Sequence, residues 1–136
     1  VITNAEFIAA ARSWLGVPYL HQGRSRLGVD CVGFLACCAA DMGVLPAPVP
    51  ANYGRVQQGA LKDYMVKYGK PAPAAAAGVV VVIRWPQAVH AAHIALCTGP
   101  TILQCYEIAG GVIETRYGAP WTRLTDSFWR FPGVVG

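Results

Sequence analysis

Charge is scarce in this chain. Asp, Glu, Lys and Arg make up 13% of its residues against 54% hydrophobic ones, which excludes the polar composition of a disordered protein. Basic residues are scattered, with no dense Lys/Arg run interleaved with aromatics, so nucleic acid is excluded as a partner. Long apolar runs are missing too. The longest, residues 31–40 and 74–83, are about half the ~20 residues that a helix needs to span a membrane. The opening Val1-Ile2-Thr3-Asn4 lacks the basic-then-apolar layout of a signal peptide, so the chain reads as soluble and not secreted by the ordinary route. Five cysteines, at 31, 37, 38, 97 and 105, form no CxxC pair and match no zinc-ribbon or zinc-finger spacing, so no metal is expected. Internal repeats are absent, and the one low-complexity stretch is a short alanine run at residues 74–77.

What is present describes a single domain over residues 1–136, large enough to bury a core without staples. The formal charge of +4 and pI near 8.9 suit an anionic partner, and suit a merely soluble protein almost as well. So many apolar residues with so few charges point to some surface covered by a partner.

Thr3-Asn4-Ala5-Glu6 has capping-box spacing. It predicts a helix in which Phe7, Ala10, Ala11, Trp14 and Leu15 share a face, ending at Gly16. Residues 17–29, rich in Gly and Arg, read as an irregular loop. The apolar run that follows predicts a second helix, starting at Asp30 or Cys31 and ending at Gly43. Pro46, Pro48 and Pro50 make an extended connector that cannot be helical. A third, more polar helix is expected over residues 56–68, and Lys70-Pro71-Ala72-Pro73 as a rigid break. After Gly78 the pattern changes to strands, at residues 79–84, 92–98, 101–107, 112–116 and 127–131. Helices first and strands later define an α+β domain, with an antiparallel sheet packed against the early helices.

Asp30-Cys31-Val32-Gly33 places a thiol where the second helix begins. Unpaired N–H groups and the helix dipole both favour a thiolate there, so a lowered cysteine pKa is expected. Such a cysteine needs a histidine within reach to act as a nucleophile. His93 opens a strand-like run and is the first candidate; His21, ten residues before Cys31, is the rival base or a residue lining the site. His90 reads as a surface loop residue. The remaining cysteines read as buried small hydrophobes.

A third polar group usually orients the imidazole, and Gln104 is placed to do so. If Thr98-Gly99-Pro100-Thr101 closes a two-residue hairpin loop, His93 faces Tyr106, and His93 and Gln104 share one face of the sheet. A three-residue loop would put them on opposite faces. Arg24 and Arg26 are either contacts for an anionic substrate or solvated loop charges. Trp85 and Trp121 read first as packing residues and second as walls of a groove.

Together these residues resemble the NlpC family of cell-wall cysteine peptidases, a trimmed papain-like α+β fold. Trp14-Leu15-Gly16-Val17-Pro18-Tyr19 is similar to the family's WLGTPY segment, Asp30-Cys31-Val32-Gly33 to its DCSG motif and His93-Ile94-Ala95-Leu96 to its HVGI strand. Ile102-Leu103-Gln104 falls where the third polar residue belongs. The resemblance implies Cys31 as nucleophile, His93 as general base, Gln104 as orienting residue and Tyr19 as a hydroxyl beside the nucleophile and oxyanion site. It also implies that Asp30 helps to hold the free amine of a stem peptide, with His21 and Arg24 as further substrate-binding candidates. The implied reaction is endopeptidase cleavage of the γ-D-glutamyl–diamino acid bond in peptidoglycan stem peptides, with no metal and no cofactor.

Two departures stand out. Val32 replaces the family's usual Ser, and His21-Gln22-Gly23-Arg24 replaces its Trp-Gly. With the closing Phe128-Trp129-Arg130-Phe131-Pro132-Gly133, this variant resembles the subgroup found in bacteriophage tails and gene-transfer agents. That implies bacterial peptidoglycan and tail-tip or hub proteins as partners. It also implies a place in the virion tail after synthesis in the bacterial cytoplasm. Two other readings use the same residues. One is a catalytically weak or inactive tail-assembly protein on this scaffold; the other is an amidase or acyltransferase with the same Cys–His dyad.

Overall fold

The capping box at Thr3 forms as its spacing predicts. In the computed structural model, which describes residues 2–44 and 60–136, Thr3 Oγ1 accepts the Glu6 N–H at 3.0 Å and starts helix α1, Asn4–Arg12. The helix stops a turn before Gly16. Trp14 and Leu15 make tighter i→i−3 bonds, and the Gly16 N–H leaves the helix for the Val112 carbonyl. Gly16, at φ +88°, takes the left-handed backbone that this exit requires.

Helix α2, Cys31–Asp41, begins at its Asp30 cap, and Asp30 Oδ1 accepts the Gly33 N–H at 2.7 Å. Helix α3 spans Ala60–Tyr68. The proline connector at 46–50 and the expected start of the third helix at 56–59 lie outside the described residues.

Ten strands occur among the described residues: β1 Ile2–Thr3, β2 Arg24–Ser25, β3 Gly28–Val29, β4 Lys70–Pro71, β5 Val80–Ile83, β6 His93–Cys97, β7 Thr101–Tyr106, β8 Gly111–Arg116, β9 Thr125–Arg130 and β10 Val134–Val135. The five longer ones are those expected. The shorter ones correct the reading of their segments. Residues 17–29 are not wholly irregular, because β2 and β3 pair as a small hairpin. Lys70-Pro71 is not only a break but an edge strand on β9, where a missing proline N–H does no harm. A short helix α4, Trp121–Leu124, precedes β9, and β1 pairs in parallel with β10.

The main sheet has the order β4-β9-β5-β6-β7-β8 and is antiparallel throughout. One face carries Val80, Val82, Ile94, Leu96, Leu103 and Cys105 against Phe7, Phe34, Leu35 and Cys38 of the helices. The other carries Val81, Ile83, Ala95, Cys97 and Ile102 beneath Trp85, Trp121, Leu124 and Phe128. Strand β5 is buried on both faces, which is why it reads as an unbroken apolar run. Of the four cysteines read as buried hydrophobes, Cys38, Cys97 and Cys105 are buried, while Cys37 is half-exposed; all are free thiols.

The β6–β7 connection takes the two-residue form. Thr98 N–H bonds the Thr101 carbonyl, and Leu96 and Cys97 pair with Leu103 and Ile102. The pairing stops there although both strands continue. Ahead of Leu96 the two strands part, and this gap positions the site.

Candidate active site

The N-terminus of α2 fills the gap between β6 and β7. Cys31 Sγ lies 3.7 Å from the Ala92 carbonyl, to which the thiol donates, and the Ile94 N–H also bonds the sulfur. Both backbone groups flank His93. In a continued ladder they would have faced β7, so the thiol takes the place of a missing strand partner. The nucleophile thereby passes from the helix side of the sheet to the start of β6.

His93 projects to the far face, and Gln104 does the same from β7. His93 Nε2 and Gln104 Oε1 are 2.7 Å apart, as the two-residue loop predicts. Gln104 Nε2 donates to Thr115 Oγ1 at 3.1 Å, so its Oε1 is the acceptor toward His93. Neutral His93 therefore carries its proton on Nε2 and presents the lone pair of Nδ1. Gln104 is fully buried, which protects this bond from water.

Burial dominates the electrostatics. Cys31 is 8% exposed and His93 4%. Desolvation, with a smaller contribution from the Asp30 carboxylate, pushes the Cys31 thiol up to about 12, against N–H bonds from Ile94, Val32 and Cys31 that favour the thiolate. The expectation of a lowered pKa from the helix start is therefore corrected, because loss of water outweighs the helix end. Burial likewise brings His93 down to about 4, against its bond to Gln104. The resting pair is a neutral thiol and a neutral imidazole.

The remaining expected site residues lie in the loop that wraps the start of α2. Tyr19 is half-buried, its N–H bonded to the Gly110 carbonyl, and it bridges to Val29, two residues ahead of Cys31. His21 is half-buried in the turn at residues 21–22, where Gln22 adopts φ +61°. Asp30 is 3% exposed and holds this loop to the helix. Its Oδ2 accepts the Gln22 N–H at 2.9 Å, and its Oδ1 lies 3.3 Å from Arg24 Nη1. Arg24 also donates to the Gly23 carbonyl, and its side chain lines a cleft of about 400 Å³ beside Cys37 and Asp41 of α2. A Cβ on Gly33 would sit 2.2 Å from the Gly23 carbonyl oxygen, so glycine is required for the loop to close this tightly.

Three aromatics lie near His93; Trp85 and Trp121 read from sequence first as packing and second as groove walls, and Tyr106 only as the residue facing His93. Trp85 stacks on the imidazole at 5.2 Å between centroids, with Tyr106 at 6.0 Å and Trp121 at 6.3 Å. Signals for two of them were present. The two-residue loop sets Tyr106 opposite His93 by count, although the strands part before that position, and Trp85 follows two residues after Ile83, the β5 partner of His93. Trp121 comes from α4 and carried no such signal. The three line a cleft of about 470 Å³ with Pro86, Pro120 and Arg123. Among the described residues no group of three or more His, Cys, Asp or Glu side chains is arranged to hold a metal, and no helix is long and apolar enough to cross a membrane.

The arrangement offers a thiol, an imidazole with a defined tautomer, and backbone N–H groups at a helix start. It is suited to acyl transfer.

No protein-family model matches the sequence, and no curated protein matches it. Solved structures do match. The chain is similar to the NlpC/p60 domain of the peptidoglycan hydrolase SagA, with 18% identity and a TM-score of 0.64 over 93% of this chain and 97% of that one. It is similar to the peptidoglycan hydrolase RipB from Mycobacterium tuberculosis, with 22% identity and a TM-score of 0.64 over 93% of this chain and 63% of the other. NlpC2 from Trichomonas vaginalis superposes with a TM-score of 0.74 at 12% identity, over 94% of this chain but 46% of that protein. The chain thus spans nearly all of one neighbour and less than half of another. With its six-stranded antiparallel sheet packed against helices, the chain has the fold of NlpC/p60 domains.

Proposed function

We propose that this chain is a cysteine endopeptidase that hydrolyses the γ-D-glutamyl–diamino acid bond of peptidoglycan stem peptides. The observation that carries the reading is the seating of Cys31 on the backbone at either side of His93, whose tautomer Gln104 sets. Fold neighbours that are peptidoglycan hydrolases add support.

In this mechanism the Cys31 thiol gives its proton to His93 Nδ1 as the sulfur attacks the substrate carbonyl carbon. The new C–S bond places negative charge on oxygen, which the Cys31 N–H helps to stabilise. Collapse breaks the C–N bond, and the departing amine takes the proton from His93. Water then attacks the thioester, its proton passing through His93 to the released thiolate. Asp30 contributes negative potential for a substrate amine as well as its loop contacts, and Tyr19, His21 and Arg24 border the substrate path.

The test is mass spectrometry of purified peptidoglycan after incubation with the wild type and with Cys31→Ala. New stem-peptide fragments that vanish in Cys31→Ala support the reading, and their masses identify the bond. Intact peptidoglycan with both folded proteins overturns it for the free chain.

The deep burial and neutral state of Cys31 and His93 favour a second reading, in which this scaffold serves assembly and its activity is weak. Both readings place the chain in a phage tail or similar particle, on the resemblance of residues 21–24 and 128–133. Detection of the chain in purified particles, bound to tail-tip or hub proteins, tests that placement.

A further inference from the structure

We infer that the cleft walled by Trp85, Tyr106 and Trp121 is the subsite for the leaving half of the substrate, and that it selects a residue with an aliphatic body and a free carboxylate. The inference rests on the endopeptidase reading. In acyl transfer from a thiol, the expelled amine takes its proton from the imidazole, so the residue bearing that amine must lie against the imidazole's open flank. Gln104 occupies the Nε2 edge of His93. The three aromatics lie with centroids 5.2–6.3 Å from the imidazole and also wall the cleft. These shared rings bring the cleft close to the base.

Shape and charge then narrow the ligand. A volume of about 470 Å³ suits one or two amino-acid residues. Trp85 and Trp121 meet edge to face at 6.1 Å, and Tyr106 stands nearly perpendicular to Trp121. These faces are apolar, with Pro86 and Pro120 beside them, and receive methylene groups or an ammonium group over an indole. Arg123 is the one charged residue among the described residues that line the cleft. It is exposed and, among the described residues, forms no ion pair. Its planar guanidinium is thus available to grip a carboxylate with two parallel bonds. Trp121 and Arg123 share helix α4, so one element sets the distance between apolar wall and anion grip.

The experiment compares the tripeptide L-Ala-γ-D-Glu-L-Lys with its C-terminal amide as substrates of the wild type, Arg123→Gln and Trp121→Leu. The wild type is expected to prefer the free carboxylate by about tenfold in kcat/KM, chiefly through KM. Arg123→Gln should treat the two peptides alike, and Trp121→Leu should raise KM for both. A wild type that cleaves both equally, or an Arg123→Gln protein that keeps the preference, overturns the subsite while leaving the endopeptidase intact. Tryptophan fluorescence titration of Cys31→Ala with each peptide gives a readout free of turnover. If the wild type cleaves neither peptide, carboxylate-dependent quenching that Arg123→Gln removes supports carboxylate binding in the cleft, while the endopeptidase reading and the leaving-half assignment fall. Absence of both cleavage and quenching overturns the two together.

Discussion

Gln104 Oε1 lies 2.7 Å from His93 Nε2, and that bond decides which imidazole nitrogen is free to act as a base. Replacing Gln104 by Ala releases the tautomer and leaves a buried ring N–H without its acceptor. We expect kcat to fall about 10²-fold with KM little changed, and stability to fall by about 1–3 kcal/mol. Steady-state kinetics with a urea titration check both. An unaltered kcat would remove Gln104 from the mechanism.

Cys31 should be a slow nucleophile in the free protein. A thiol held near 12 is almost wholly protonated at neutral pH. Alkylation of Cys31 by iodoacetamide, followed by peptide mass spectrometry, is expected to lag behind a free thiol at pH 7 and to accelerate above pH 9. A rapid rate that stays flat below pH 7 would instead mean a preformed thiolate–imidazolium pair.

His93 should make the fold sensitive to mild acid. Its folded pKa, about 4, lies below the ordinary 6.5, so between these values the unfolded chain binds a proton that the folded chain does not. The neutral ring's contribution is complete above pH 6.5 and lost as pH falls toward 4, about 3 kcal/mol in all. Glu114 and Asp126, whose carboxyls are held below their ordinary values of 4.5 and 3.8, add acid losses of the same sign only below those values. Urea midpoints from pH 7.5 to 4.5 should therefore drop more steeply for the wild type than for His93→Gln. Parallel curves would rule out the buried neutral ring as the cause.

Gly33→Ala should damage both fold and site. The added Cβ would meet the Gly23 carbonyl oxygen at 2.2 Å and Arg24 Nη1 at 2.6 Å, within the segment that Asp30 clamps. Overpacking of this kind costs about 1–3 kcal/mol. Thermal unfolding should show the loss, and kcat/KM should fall with it because Cys31 lies two residues away. An unchanged Tm would show that the loop yields freely.

Much of this architecture is local and therefore readable in the chain. Thr3 and Asp30 each sit where a side chain can take an N–H from the coming helix, and both do. Gly99-Pro100 sets a hairpin register that aligns His93 with Gln104 through period-two geometry alone. What escaped depends on tertiary surroundings. The dipole argument for Cys31 is sound at a solvated helix end, but here the end is buried and desolvation outweighs it. Lys70-Pro71 looks like a break until β9, far along the chain, supplies an edge to pair with. Trp121 reaches His93 only because α4 folds over the far face of the sheet, which no spacing near either residue encodes.

The parting of β6 from β7 also bears on how this chain matures. Cys31 and Ala92 are 61 residues apart in sequence, and the sulfur has no seat until β6 is joined to β7 with the helix end lodged between them. Closing so long a segment carries an entropic cost that only the finished sheet offsets. A nascent chain released up to β5 would carry Cys31 without His93, Gln104 or the aromatic cleft. The proposed activity thus waits on the late strands and belongs to the assembled sheet rather than to the early helices.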